Sequence, residues 1–170
     1  MPCDLTQQAT ALIEHIQTRF HEGHRRALPE LLAMAAAAEA NGIDAGLVDA
    51  LRTIGNELEQ HMFKEEMRLF PMMEQGGNTL IGRLIQDLHC EHVAHEHAMD
   101  EFRTRLRLLG QSHRTDGMLR ALTQGFDDLA NELGSHIRAE DEQLFPLFAA
   151  PVPTAVPAAF KPPHKRPVLP

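Results

Sequence analysis

Two eleven-residue stretches, 75 positions apart, carry side chains that could hold a metal. The first is His61-Met62-Phe63-Lys64-Glu65-Glu66-Met67-Arg68-Leu69-Phe70-Pro71, the second His136-Ile137-Arg138-Ala139-Glu140-Asp141-Glu142-Gln143-Leu144-Phe145-Pro146. Each sets a His and a Glu four residues apart, on one helix face about one turn from each other. Imidazole plus carboxylate at that spacing is a chelating pair for a first-row transition metal, and carboxylates from two facing helices can be shared between two ions. His92 and Glu96 repeat the spacing. In a chain with 11 histidines such a pair arises by chance. Chance does not supply Leu-Phe-Pro at the same offset in both stretches; equal demands on two helices, or a duplicated helix pair, explain it better.

The elements that must position these groups are helical. Leu, Ala and Met are abundant, Tyr and Trp are absent, and long stretches pass without Pro or Gly, a composition that favours helix over sheet. Breaks at Asn41-Gly42-Ile43-Asp44, Gln75-Gly76-Gly77-Asn78 and Gly110 to Asp116 leave four segments, about 4–40, 45–73, 79–109 and 116–149. Within them apolar residues recur every three or four positions, as in Leu51, Ile54, Leu58, Met62, Leu69 and in Leu119, Leu122, Phe126, Leu129, Leu133, Ile137, Leu144. The His/Glu pairs lie inside those stripes. Asp44 and Asn78 are expected to cap helix starts, Gly42 and Gly110 to stop helices, Pro71 and Pro146 to end theirs, and Pro29 to kink the first just beyond His24. Short connections make neighbours antiparallel, so the predicted fold is all-α, an up-down-up-down four-helix bundle. Counting from the turns at 1.5 Å per residue, His21, His61, Glu65, His92, His136 and Glu140 share one level within roughly 6 Å.

Length fits one domain, residues 1–150, followed by a tail, 151–170, with seven prolines, Lys161, Lys165 and Arg166 and no acid. That tail is expected to be disordered; a basic docking segment for an acidic protein partner is its functional reading. It carries +3 of a net charge of −8, leaving −11 on the body, which argues against nucleic acid as a partner. No run of 18 apolar residues suggests a membrane span, and Met1-Pro2-Cys3-Asp4 lacks a signal-peptide pattern, so a cytoplasmic location is expected. Cys3 and Cys90 form neither a disulfide framework nor a metal motif.

A purely structural reading would leave four imidazoles and two carboxylates in an apolar core. Each would cost about 1–3 kcal/mol even when partly hydrogen-bonded, whereas a metal pair would neutralise the carboxylates and use the lone pairs. His89, His95, His97, His113 and His164 read as surface residues. Glu66, Asp141 and Glu142 read as solvated flank charges, with an outer-sphere role open to Glu66. Met62, Met67, Met72, Met73 and Met99 read as core filler.

Taken together, His21-x-x-His24-Arg25-x-x-Leu28-Pro29-Glu30-Leu31, His61-Met62-x-Lys64-Glu65-Glu66-x-x-Leu69-Phe70-Pro71, Glu91-His92 and His136-Ile137-x-x-Glu140-x-x-x-Leu144-Phe145-Pro146 resemble the hemerythrin-like (HHE cation-binding) family, closest to its branch of di-iron proteins for iron–sulfur cluster repair. The resemblance implies two non-haem iron ions, with His21, His61, His92 and His136 as terminal ligands and Glu65 and Glu140 bridging. Mixed nitrogen and oxygen donors with shared carboxylates favour iron or manganese over zinc, and the resemblance selects iron. The expected partition puts His21 and His61 on one ion and His92 and His136 on the other, with the ions about 3.5–4 Å apart. The branch usually has a further histidine near the end of the first helix, which the register places at Asn41-Gly42, where none stands. One metal is then expected to keep an open position for NO or O2, unless His24 or His95 fills it. The branch also commonly carries an N-terminal domain with a cysteine pair, whereas here the bundle pattern begins almost at Met1. The function so implied is a response to nitrosative or oxidative stress, with iron–sulfur cluster repair. A hemerythrin-type O2 carrier or sensor is the alternative. An iron-storage or oxidase-like protein ranks third, since ferritin-like sites hold more carboxylates and fewer histidines.

Overall fold

The computed structural model describes residues 2–148, and the tail expected at 151–170 lies outside them. Four helical rods account for nearly all of it, with no strand among the described residues. Helix α1 runs Pro2–His15, passes through a π-helical stretch at Ile16–His21, and continues as Glu22–Ala40. Helix α2 runs Leu47–Lys64, a π-helical turn Glu65–Leu69, and Phe70–Glu74. Helix α3 is the uninterrupted Ile81–Ser112. Helix α4 runs Gly117–Ala139, a π-helical turn Glu140–Leu144, and a 3-10 turn Phe145–Leu147. Each rod packs along its sequence neighbours, and α1 closes the ring against α4, as expected of an up-down-up-down bundle.

The turns use partly different residues from those predicted. Helix α1 does stop at Gly42, whose φ of 73° suits glycine. There Gly42 N–H donates to the Glu39 carbonyl and Ile43 N–H to that of Ala38. Asp44 is not the cap of α2. Glu39 Oε1 accepts from the backbone N–H of Gly46 (2.7 Å) and Val48 (2.9 Å), while Asp44 accepts from Arg105 Nε at 2.7 Å. Asn78 holds the turn before α3 by accepting from Leu80 N–H. Gly110 lies inside α3 and stops nothing. Asp116 caps α4, accepting from Leu119 N–H at 2.7 Å.

Pro71 departs from expectation, while Pro29 is carried within its helix. Pro29 sits within the continuous segment Glu22–Ala40, which gives up the bond to the Arg25 carbonyl and carries on. Pro71 does not end α2. It stands in the first turn of Phe70–Glu74, where its missing N–H is not needed. The wide turn just before it, in which Phe70 N–H reaches back to the Glu65 carbonyl, resets the ladder. The same five-residue bond links Phe145 N–H to the Glu140 carbonyl ahead of Pro146, and the chain tightens into its last 3-10 turn there. A π turn holds one extra residue, so consecutive side chains can both face inward. Phe20 and His21, Leu69 and Phe70, and Leu144 and Phe145 are all buried.

The core falls into two apolar clusters. One gathers Leu31, Leu51, Leu58, Phe102, Phe126 and Leu133 with their neighbours. The other gathers Ile13, Ile16, Phe20, Phe70, Ile85 and Phe145 with theirs. The buried polar residues occupy the level between them. No helix among the described residues is long and apolar enough to cross a membrane.

Candidate metal centre

All six predicted donors meet at that level. His21, His61, Glu65, His92, His136 and Glu140 are each at most 1% exposed. Helix α1 supplies His21, α2 supplies His61 and Glu65, α3 supplies His92, and α4 supplies His136 and Glu140. Glu65 and Glu140 open their π turns, so the irregular backbone sits at the site itself, as π turns often do.

Two overlapping groups of four result. His21, Glu65, His136 and Glu140 can each offer an atom within 4.8 Å of the others, and so can His61, Glu65, His92 and Glu140. Both carboxylates belong to both groups. The partition differs from the expected one: His21 pairs with His136 (Nε2 to Nε2, 3.2 Å) and His61 with His92 (3.2 Å). All four neighbouring rods pack on one another, so it is the facing of the rings, not adjacency, that sets this partition.

The donors fit a metal better than they fit one another. His61 Nε2 lies 3.2 Å from Glu65 Oε1, His21 Nε2 3.4 Å from Glu65 Oε2, and His92 Nε2 3.1 Å from Glu140 Oε2. Close as these contacts are, those three carboxylate oxygens are buried without a hydrogen-bond partner of proper alignment. Lone pairs that converge without a proton in line between them are the donor set of a cation.

Outer contacts fix the rings. His21 Nδ1 meets Glu66 Oε1 at 2.7 Å, His61 Nδ1 meets Glu91 Oε2 at 3.0 Å, and His92 Nδ1 meets Asp141 Oδ1 at 3.0 Å. The fourth imidazole differs: His136 Nδ1 meets His24 Nε2 at 3.3 Å. The carboxylates are held in turn, Glu66 by Arg25, Glu91 by Lys64 and Asp141 by His89. Glu66 and Asp141 are therefore not idle flank charges, and Glu91 joins them. Aromatic rings lie along three of the imidazoles: Phe70 on His21, Phe145 on His92 and Phe20 on His136. The repeated Leu-Phe-Pro thus supplies a ring against a histidine of another helix. Against His61 that position is taken by His95, edge-on at 4.9 Å.

His24 and His95 are buried, so the surface reading of His95 was incorrect, and neither belongs to the two four-residue groups. His95 faces His61 and Glu91 instead, with its Nε2 unpartnered. His89 and His97 are exposed, and His164 lies outside the described residues. Asn41 and Gly42 are exposed at the far end of α1. Twenty residues beyond His21 they stand about 30 Å along the helix, so a histidine there could not reach the centre, and its absence opens no position.

Electrostatics follow from two buried carboxylates among imidazoles. Burial pushes the His21, His61 and His92 pKa values down, but the nearby glutamates outweigh it. At His21 and His61 Glu65 leads, and at His92 Glu140. All three are raised, His61 to about 9. Burial would raise Glu140, yet His136 and His92 hold it well below the carboxylate range. At His24 and His95 burial wins: burial first, then the charges of His136 and His21 on one and of His61 and His92 on the other, lower them to about 3 and about 4, with Glu91 and Glu65 opposing only weakly at His95. Without metal, the raised His21, His61 and His92 can hold protons opposite the buried carboxylates.

An all-helical bundle whose four rods converge on buried His and Glu donors is a cation-binding bundle. Residues 12–148 match the hemerythrin HHE cation binding domain, and the chain belongs to that family. It is 37% identical over 147 residues to the iron–sulfur cluster repair protein YtfE of Dickeya chrysanthemi (82% of this chain, 66% of that protein). The repair proteins YtfE of Cronobacter sakazakii (32% over 140 residues; 79% and 63%) and of Yersinia pseudotuberculosis (34% over 145 residues; 82% and 66%) are similar to it as well. The chain thus spans 63–66% of the length of these relatives.

Proposed function

We propose that the chain is a carboxylate-bridged di-iron protein that takes a diatomic ligand, NO or O2, and serves iron–sulfur cluster repair under nitrosative or oxidative stress. The observation that carries the reading is the sharing of two buried, poorly hydrogen-bonded carboxylates between two pairs of imidazoles. In this assignment His21 and His136 would hold one ion, His61 and His92 the other, and Glu65 and Glu140 would be shared between them. When bound, reduced iron supplies the electrons and the coordination site for a small ligand. The chain's own part is to offer four donors per ion, fewer than a six-coordinate iron can accept, so room for a ligand follows from the count of donors. Glu65 and Glu140 balance the charge in a buried site, and the outer carboxylates fix the ring tautomers. The apolar clusters on either side exclude bulk water and favour a small neutral ligand over an ionic one. The repair role rests on membership of the family and on the names of the relatives, with cytoplasmic proteins that carry iron–sulfur clusters as the targets.

Anaerobic titration of the reduced, iron-loaded protein with NO and with O2, followed optically, tests it. The expected result is two irons per chain and a spectral change saturating with NO. A response to O2 alone, reversible on degassing, points to an oxygen carrier and overturns the NO reading. No change with either gas removes the gas-handling role.

A further inference from the structure

The four inner imidazoles are not backed alike. Behind His61 and His92 stand Glu91 and Asp141, both at 3.0 Å from Nδ1. Behind His21 stands Glu66 at 2.7 Å, whereas behind His136 the partner among the described residues is His24, at 3.3 Å. A carboxylate that accepts the outer ring N–H draws that proton toward itself and strengthens the lone pair on the inner nitrogen. A neutral imidazole accepts more weakly and does so less. Both groups share Glu65 and Glu140, so the bridging donors cancel from any comparison between them. The one difference in the kind of partner that remains lies at His136.

We propose that the two metal positions are unequal, and that the one framed by His21 and His136 is the weaker and more readily exchanged because His24, not a carboxylate, backs His136. This rests on the two-metal reading above and deepens it. His24 is buried, with Phe20 stacked beside it, and its one described hydrogen bond is to His136. The same residue lines a cleft of about 280 Å³ beside Gly23 and Ala27 of α1 and Gly125 of α4. His24 therefore borders both the cleft and His136. His24 is a positioning residue that acts through His136.

The test is stepwise anaerobic loading of the full chain with Fe(II) against a chromophoric chelator. Outer partners of metal-bound imidazoles are worth roughly 10–100-fold in affinity, so the wild type should load in two steps separated by about that factor. Replacing His136 by Ala should abolish the weaker step and keep the tighter one; replacing His92 by Ala should do the reverse. His24→Glu should tighten the weaker step and narrow the gap, and the neutral, similarly shaped His24→Gln should leave two separated steps. Since a buried Glu at position 24 can cost folding, a second variant acts from the other side. Asp141→Asn, at a partly exposed residue, should weaken the tighter step toward the other while circular dichroism stays unchanged. Equal steps in the wild type, loss of the weaker step with His92→Ala, or steps indifferent to both His24→Glu and Asp141→Asn overturn the inference. Saturation below two irons overturns the two-metal reading itself, and this inference with it.

Discussion

Glu140 is the sharpest place to perturb the centre. Its Oε1 lies 3.0 Å from His136 Nε2 and its Oε2 3.1 Å from His92 Nε2, so one side chain faces one imidazole of each pair. Cutting it to Ala removes one of four donors, and one negative charge, from both positions at once. Loss of an outer hydrogen-bond partner costs a metal site roughly 10–100-fold, and a direct shared donor should cost on the order of 100-fold or more at each position. The metal-free protein should suffer too. Breaking a buried charge pair by removing one partner typically costs about 3–5 kcal/mol, and Glu140 is fully buried. The assay is iron content by elemental analysis with chelator competition, beside a denaturant titration of the metal-free form. Both irons should be lost together, while His92→Ala, which touches one group, should loosen one. A folded Glu140→Ala protein that retains two irons at wild-type affinity, or loses only one, would refute the sharing on which the assignment rests.

Three further outcomes follow from the same structure. In the metal-free protein His61 keeps its proton up to about pH 9, against an ordinary value of 6.5. Metal uptake at pH 7.5 should therefore release at least one proton, and affinity should climb by about tenfold per pH unit per proton up to pH 9. Calorimetry in two buffers of different ionisation enthalpy counts the protons, and zero release contradicts the charge balance. Because that pKa is raised on folding, its contribution to metal-free stability is complete below 6.5 and fades as pH rises through about 9; denaturant midpoints at pH 6 and pH 10 check the sign. At the start of α4, Asp116→Ala removes the acceptor for Leu119 N–H and should cost about 1 kcal/mol in a thermal or denaturant melt, with iron content unchanged.

The sequence by itself determined the helices, their order and the six polar side chains that meet inside the bundle. The physical reason is that helical periodicity is local, and a donor inside an apolar stripe must face the core. Depth along each rod then follows from the rise per residue, which is why His21, His61, His92 and His136 could be placed on one level before any packing was known. The Leu-Phe-Pro repeat was visible as a signal, but its meaning was not. Only the fold revealed that it marks a wide turn that admits a proline and aims Phe70 and Phe145 at His21 and His92. Helix ends were misread at Asp44, Gly110 and Pro71 because capping depends on which side chain arrives, and Glu39 reaches the start of α2 from the preceding helix. The partition of donors, the burial of His24 and His95, and the pairing of Glu66, Glu91 and Asp141 with inner imidazoles belonged to tertiary structure alone. Each depends on which faces of two rods meet, and residues 30 to 115 positions apart carry no local trace of that.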